Sequence, residues 1–140
     1  RTHNAVVLYD AHSIRSQVPR LFEGTLPVFN IGTHGGRSCD PELGAAAQAI
    51  CIGSGQPVVA NGRFKGGYIT RHYGRPDMGV HALQMELSNR GYLREPDEMG
   101  RPDNWPVPYD PAFAAPIRAV LKEILETCIN LHFRIKLTIG

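Results

Sequence analysis

Ala5-Val6-Val7-Leu8-Tyr9, followed by Asp10-Ala11-His12-Ser13, is the stretch on which the fold turns. Its first five residues are apolar on both parities and rich in β-branched side chains, which predicts a strand over 5–9 buried on both faces. Asp10 to Ser13 then sets polar, chemically capable side chains just past the strand's C-terminal end. Layered α/β folds gather their ligand and catalytic groups at such ends.

Working outward, Val18 to Asp40 is written in Pro, Gly and polar residues with isolated hydrophobics, which predicts an extended loop packed on the domain. Asp40-Pro41-Glu42 supplies an N-cap, a first-turn proline and a first-turn acid, so a helix is expected through Leu43, Ala46, Ala47 and Ile50 to the stop at Gly53-Ser54-Gly55. Val58-Val59-Ala60 reads as a second strand closed by Asn61-Gly62. Val80 to Leu87 reads as a third, with His81, Leu83, Met85 and Leu87 toward the core and Val80, Ala82, Gln84 and Glu86 on the opposite side. Pro96, Pro102, Pro106, Pro108 and Pro111 make residues 94–111 an irregular surface excursion. Phe113, Ile117, Val120, Leu121, Ile124, Leu125 and Cys128 recur at spacings of three and four and predict a helix with one face on a sheet. From Ile129 the pattern becomes strict alternation, so the tail 129–140 is expected to be a strand or foreign to the domain. Strands separated by helices and long loops define the fold class as α/β, one domain over residues 1–128 with a largely buried sheet.

Composition excludes several function classes. The chain has 140 residues, 42% apolar and 20% charged, with 15 basic against 13 acidic side chains. A chain of that length buries roughly two-thirds of its unfolded surface, enough for a core without staples. The balance is too even for a nucleic-acid-binding tail, and no apolar run approaches the ~18 residues of a membrane span. Cys39, Cys51 and Cys128 are odd in number, widely spaced and without a CxxC pairing, which points to reduced thiols in a cytoplasmic protein. The abrupt opening at Arg1, without a Met or a signal segment, suggests a stretch that begins inside a longer chain.

Three places can carry chemistry. His12 at a strand end can ligate a metal through one ring nitrogen while a carboxylate or carbonyl holds the other, or it can be a histidine satisfied by backbone. Glu86, among apolar neighbours, is either a buried acid with a raised pKa suited to act as a general base, or an acid on the solvent face of an edge strand. Asn61 to Gly74 carries Arg63, Lys65, Arg71 and His72 on a glycine-rich backbone with no acid. It is either an anion site, with arginine able to make bidentate contacts, or a solvated hairpin. It matches neither phosphate-loop pattern, so nucleotide binding has little support. Ser54 lies in a plain Gly-Ser-Gly turn, no GxSxG occurs, and His34 sits in a glycine-rich loop within reach of a site or idle.

Asp10-Ala11-His12-Ser13-Ile14-Arg15-Ser16, Asn61-Gly62-Arg63-Phe64-Lys65-Gly66-Gly67-Tyr68-Ile69-Thr70-Arg71-His72-Tyr73-Gly74 and Val80-His81-Ala82-Leu83-Gln84-Met85-Glu86-Leu87 together resemble the C-terminal half of the N-formylglutamate amidohydrolases. The resemblance implies a mixed sheet similar to that of zinc-dependent carboxypeptidases and aspartoacylases. It implies a zinc or other divalent-metal enzyme that hydrolyses N-formyl-L-glutamate to formate and L-glutamate, the closing step of one histidine-degradation route. In that frame His12 is a metal ligand and Glu86 the catalytic glutamate. Asn61, Arg63, Lys65, Arg71 and His72 then belong to the substrate site, with Arg63, Arg71 and Lys65 holding the two carboxylates. The remaining metal ligands belong to an N-terminal Pro-His-Ala-Gly-type half that this sequence does not contain. The alternatives are a related hydrolase of another acyl amino acid and a non-catalytic anion-binding module. The implied partner is a small acylated amino acid; the oligomeric state is not implied.

Overall fold

The computed structural model describes residues 5–96 and 102–138, with side chains for 5–96 and 103–130. Four strands form one mixed sheet: β1 (Val6–Ile14), β2 (Phe29–Gly32), β3 (Val58–Ala60) and β4 (Val80–Ser88). Their order is β1-β4-β2-β3. β1 runs parallel to β4, β4 antiparallel to β2, and β2 parallel to β3. Three α-helices join them: α1 (Pro41–Gly53), α2 (Tyr68–Tyr73) and α3 (Pro111–Thr138).

α1 forms as its sequence dictates. The Asp40 carboxylate accepts the Glu42 N–H at 2.8 Å, and Pro41 occupies the first turn, where no backbone N–H is needed. Leu43, Ala47 and Cys51, four residues apart, are its buried stripe. As the crossover between parallel β2 and β3, α1 lies against the sheet face that carries Phe29, Ile31, Leu83, Met85 and Leu87. Ile117, Ile124 and Cys128 of α3 complete that core, with Val7 and Tyr9 at its margin. Each fully buried aliphatic or aromatic side chain there contributes about 1.5–3 kcal/mol. At the start of α3, Asp110 accepts the N–H groups of Ala112 and Phe113 at 3.0 and 3.1 Å. No helix of the described residues is long and apolar enough to cross a membrane.

Five expectations are corrected. β1 continues to Ile14 instead of ending at Tyr9, because its ladder with β4 runs unbroken from Val6↔Val80 to Ile14↔Ser88. It is also an edge strand of the described sheet and only partly buried; the strand buried along nearly its whole length is β4. The stretch 18–40 contains β2, four buried residues too short to leave a periodic signature between Pro27 and Thr33. The basic stretch is not a hairpin: it is a loop over 61–67 followed by α2. From Ile129 the chain does not become a strand, since α3 runs on to Thr138; an existing helix extends without a new nucleation cost. Residues 139–140 lie outside the described residues.

Candidate active site

Strand geometry assembles the site from residues far apart in sequence. Side chains two apart along a strand share a face, so Gln84, Glu86 and Ser88 of β4 project away from the apolar core. The register sets His12 of β1 and Asn30 of β2 on either side of Glu86. One step along, Asp10 and Gly32 flank Gln84. The sheet therefore has one apolar face under α1 and α3, and one polar face carrying Asp10, His12, Gln84, Glu86 and Asn30.

Glu86 is 7% exposed and sits in an interior strand, which removes the solvent-face alternative. Burial pushes its carboxyl above the ordinary glutamate range; the nearby His12 pulls it down and Asp10 pushes it up. His12 is half exposed, and its Nε2 lies 2.8 Å from Asp10 Oδ1. With the proton on Nε2 donated to Asp10, Nδ1 presents a lone pair. A ligating histidine oriented through its second nitrogen has this arrangement. Asn30, 1% exposed, donates from Nδ2 to the carbonyls of Pro27 and Glu86 at 2.8 and 3.1 Å, fixing the Glu86 peptide from the far side. Asp10 Oδ2, Asn30 Oδ1 and Ser88 Oγ are buried without a hydrogen-bond partner among the described residues, leaving unused hydrogen-bonding capacity around Glu86.

Among the described residues no three His, Cys, Asp or Glu side chains converge as a metal cage. His12, braced by Asp10, fits as one ligand; a catalytic site needs three from the protein.

The basic segment meets this face at Gln84, which accepts the N–H of Gly67. Its members divide. Arg71 donates from Nη1 to the Gly66 carbonyl at 2.9 Å. Lys65 is exposed, and its carbonyl accepts the His34 N–H at 2.7 Å. Arg63 is turned toward the Leu21 carbonyl, at 2.8 Å from Nε, and toward the Phe64 ring. His72 stacks on Tyr68, with ring centroids 4.8 Å apart, and meets Tyr73 edge-on. Asn61 is occupied within the fold: Oδ1 accepts the Thr33 and Gly35 N–H groups, both at 3.0 Å, and Nδ2 donates to Thr33 Oγ1 at 2.8 Å.

The sequence reading missed Asn30, Gln84 and the bracing role of Asp10. Asp10-x-His12 and Gln84-x-Glu86 would have exposed the last two once both pairs were placed within strands. It also missed Arg37, whose Nε donates to the His34 carbonyl. Partial desolvation, then the charges of Arg37 and Arg71, hold the His34 imidazole below the ordinary histidine range. Those two cations therefore act on one neighbourhood.

Fold and site together define a mixed α/β protein whose chemically capable residues collect on one sheet face. A family model described as N-formylglutamate amidohydrolase matches residues 1–93, and the chain belongs to that family. It is 50% identical over 124 residues to an N-formylglutamate deformylase of Pseudomonas aeruginosa, covering 88% of this chain and 44% of the relative. With the Pseudomonas putida N-formylglutamate deformylase the identity is 46% over 124 residues, covering 88% and 43%. The chain thus spans less than half the length of these curated relatives. The crystal structure of N-formylglutamate amidohydrolase from Ralstonia eutropha JMP134 shares the fold, with a TM-score of 0.68 at 23% identity over 90% of this chain and 43% of that one.

Proposed function

We propose that the chain contributes the general base, one metal ligand and a carboxylate-binding loop to an amidohydrolase that converts N-formyl-L-glutamate and water to formate and L-glutamate. The observation that carries this reading is the pairing of His12 with Glu86 across β1 and β4, with Asp10 on the histidine and the basic loop tied to the same face. Family membership supports the substrate class.

Glu86, desolvated and raised in pKa, accepts a proton from water as its oxygen adds to the formyl carbon. It returns the proton to the amine nitrogen as the C–N bond breaks. Asp10 fixes the ring of His12. Arg71 and Lys65, with Arg37 nearby, attract and orient the two carboxylates of the substrate. Arg63 and His72 would have to leave their present contacts to join them. Asn61 shapes the loop that does the holding. Zinc or another divalent cation would be held in part by His12 Nδ1 and would supply Lewis-acid polarisation of the formyl carbonyl. The same reading places the fold near the zinc-dependent carboxypeptidases and aspartoacylases, and the reaction in histidine degradation. The buried, unpaired Cys39, Cys51 and Cys128 suit a reducing, cytoplasmic setting.

A second reading is favoured by one observation, the lack of a three-donor cluster among the described residues. On it, this chain binds the dicarboxylate without turning it over. Formate release from N-formyl-L-glutamate, N-formyl-L-aspartate and N-acetyl-L-aspartate, measured with and without added zinc, decides between them. Formate from N-formyl-L-glutamate in preference to the others is expected. Preferred cleavage of another acyl amino acid would move the substrate class, and saturable binding of N-formyl-L-glutamate without formate would establish the second reading.

A further inference from the structure

The geometry points to Gln84 as the positioning residue that latches the basic loop onto the strand of Glu86, so that the loop's cations are held over the polar face. The inference rests on the proposed function for its consequence, though not for its structural part.

Gln84 is 4% exposed, lies two residues before Glu86 on the same side of β4, and accepts the Gly67 N–H through Oε1. Around this bond the backbone packs too closely for side chains. Gln84 faces Gly32 across the sheet, and a Cβ on Gly32 would lie 2.6 Å from the Gly66 nitrogen. Gly66 has φ +117°, and a Cβ there would run into Thr70 Oγ1. A Cβ on Gly67 would lie 3.1 Å from Gln84 Oε1. The loop therefore seats backbone-to-sheet, as glycine alone permits.

The seat also governs the cations. Arg71 is hydrogen-bonded to the carbonyl of Gly66, the residue before the latched N–H. Lys65 immediately precedes them, and its carbonyl holds the His34 N–H. Asn61 binds the 33–35 turn at the other end of the loop. Loops 33–38 and 61–67 thus form one body, tied to β4 at one end through Ser38, bonded to the Ala82 backbone, and at the other through the Gln84 side chain at Gly67. A neutral amide at this position accepts the N–H without placing a second negative charge beside Glu86, where a carboxylate would repel an anionic substrate.

The test compares Gln84→Met, which keeps length but removes the acceptor, with Gln84→Glu, which keeps the acceptor, in the full chain. Amide hydrogen exchange across residues 61–74 and the Kd for N-formyl-L-glutamate are measured in each. Expected for Gln84→Met are faster exchange at Gly67, unchanged protection in the centre of β4, and a Kd weakened by about tenfold. Gln84→Glu should retain protection at Gly67 while weakening the anion's binding through its charge. In an active form of the enzyme the Gln84→Met loss appears in KM with kcat little changed. Unchanged exchange at Gly67 in Gln84→Met overturns the latch. Faster exchange with unchanged Kd overturns the positioning role and leaves a merely structural bond. Should the parent chain bind no dicarboxylate, the proposed function fails separately, and the exchange data alone decide the latch.

Discussion

The two faces of β4 are built from alternate residues of one strand, yet they do different work. Leu83, Met85 and Leu87 lie in a core closed by α1 and α3, where packing alone sets the energy. Gln84, Glu86 and Ser88 are equally withdrawn from solvent, at 4%, 7% and 0% exposure, but among polar neighbours and atoms that lack partners. Burial on the first side contributes stability. On the second it costs stability and produces a perturbed carboxyl, a common trade where a site is built into a fold.

That contrast can be broken from either side. Leu83→Ala, at a fully buried position, should lower the free energy of unfolding by about 2–5 kcal/mol in urea titration. A loss well under 1 kcal/mol would mean that the apolar face is not the source of stability. On the polar face, Asp10→Asn should leave the free energy of unfolding within about 1 kcal/mol of the parent, since the contact it alters is partly exposed. On the proposed function, in which Asp10 orients His12 as a metal ligand, it should lower kcat/KM by about 10–100-fold in an active form. Unchanged kinetics would show that the Asp10–His12 contact has no bearing on the site.

Two smaller effects sharpen the account of the apolar side. The thiols beneath that face are held protonated by burial, Cys39 pushed up to about 11 and Cys51 to about 12. At pH 8 all three cysteines should therefore react with a disulfide reagent only as fast as the protein opens. Rapid titration of three thiols in the native protein would contradict the packing. At the head of α3, Asp110 accepts two backbone N–H groups and the Arg94 guanidinium, and the Phe113 N–H above all holds its carboxyl below the ordinary aspartate range. A depressed folded pKa means that its contribution is present above the unfolded value and is lost as pH falls through the folded one. Asp110→Ala should accordingly lower Tm slightly at pH 7, with the difference closing as the pH falls below the ordinary aspartate range. A constant difference across that range would assign the effect to something other than the charged cap.

How far these faces could be read beforehand depended on whether the signal was local. The Asp40 cap, the Gly53 stop and the parity of β4 are written within a turn or two of where they act, and all three are found in the structure. β2 was invisible because Asn30 interrupts an already short apolar pair. β1 read short because Asp10 and His12, which belong to the polar face, look like a strand's end when the face is not yet known. The individual residues His12 and Glu86 stood out by chemistry. Their juxtaposition did not, since it depends on a parallel register between strands more than 70 residues apart. Asn61 stood out within the basic segment, but the engagement of its amide with Thr33 and Gly35 is revealed only by the tertiary contact.

On the proposed function, the polar face of β4 serves chemistry and the apolar face stability. Glu86→Gln tests it most directly when unfolding and formate release from N-formyl-L-glutamate are measured on the same preparation of an active form of the enzyme. The expected variant is at least as stable as the parent at pH 7, with turnover reduced by about 10²–10⁴-fold, the usual contribution of a general base. Retained turnover, or a loss of stability on the scale of Leu83→Ala, would contradict it.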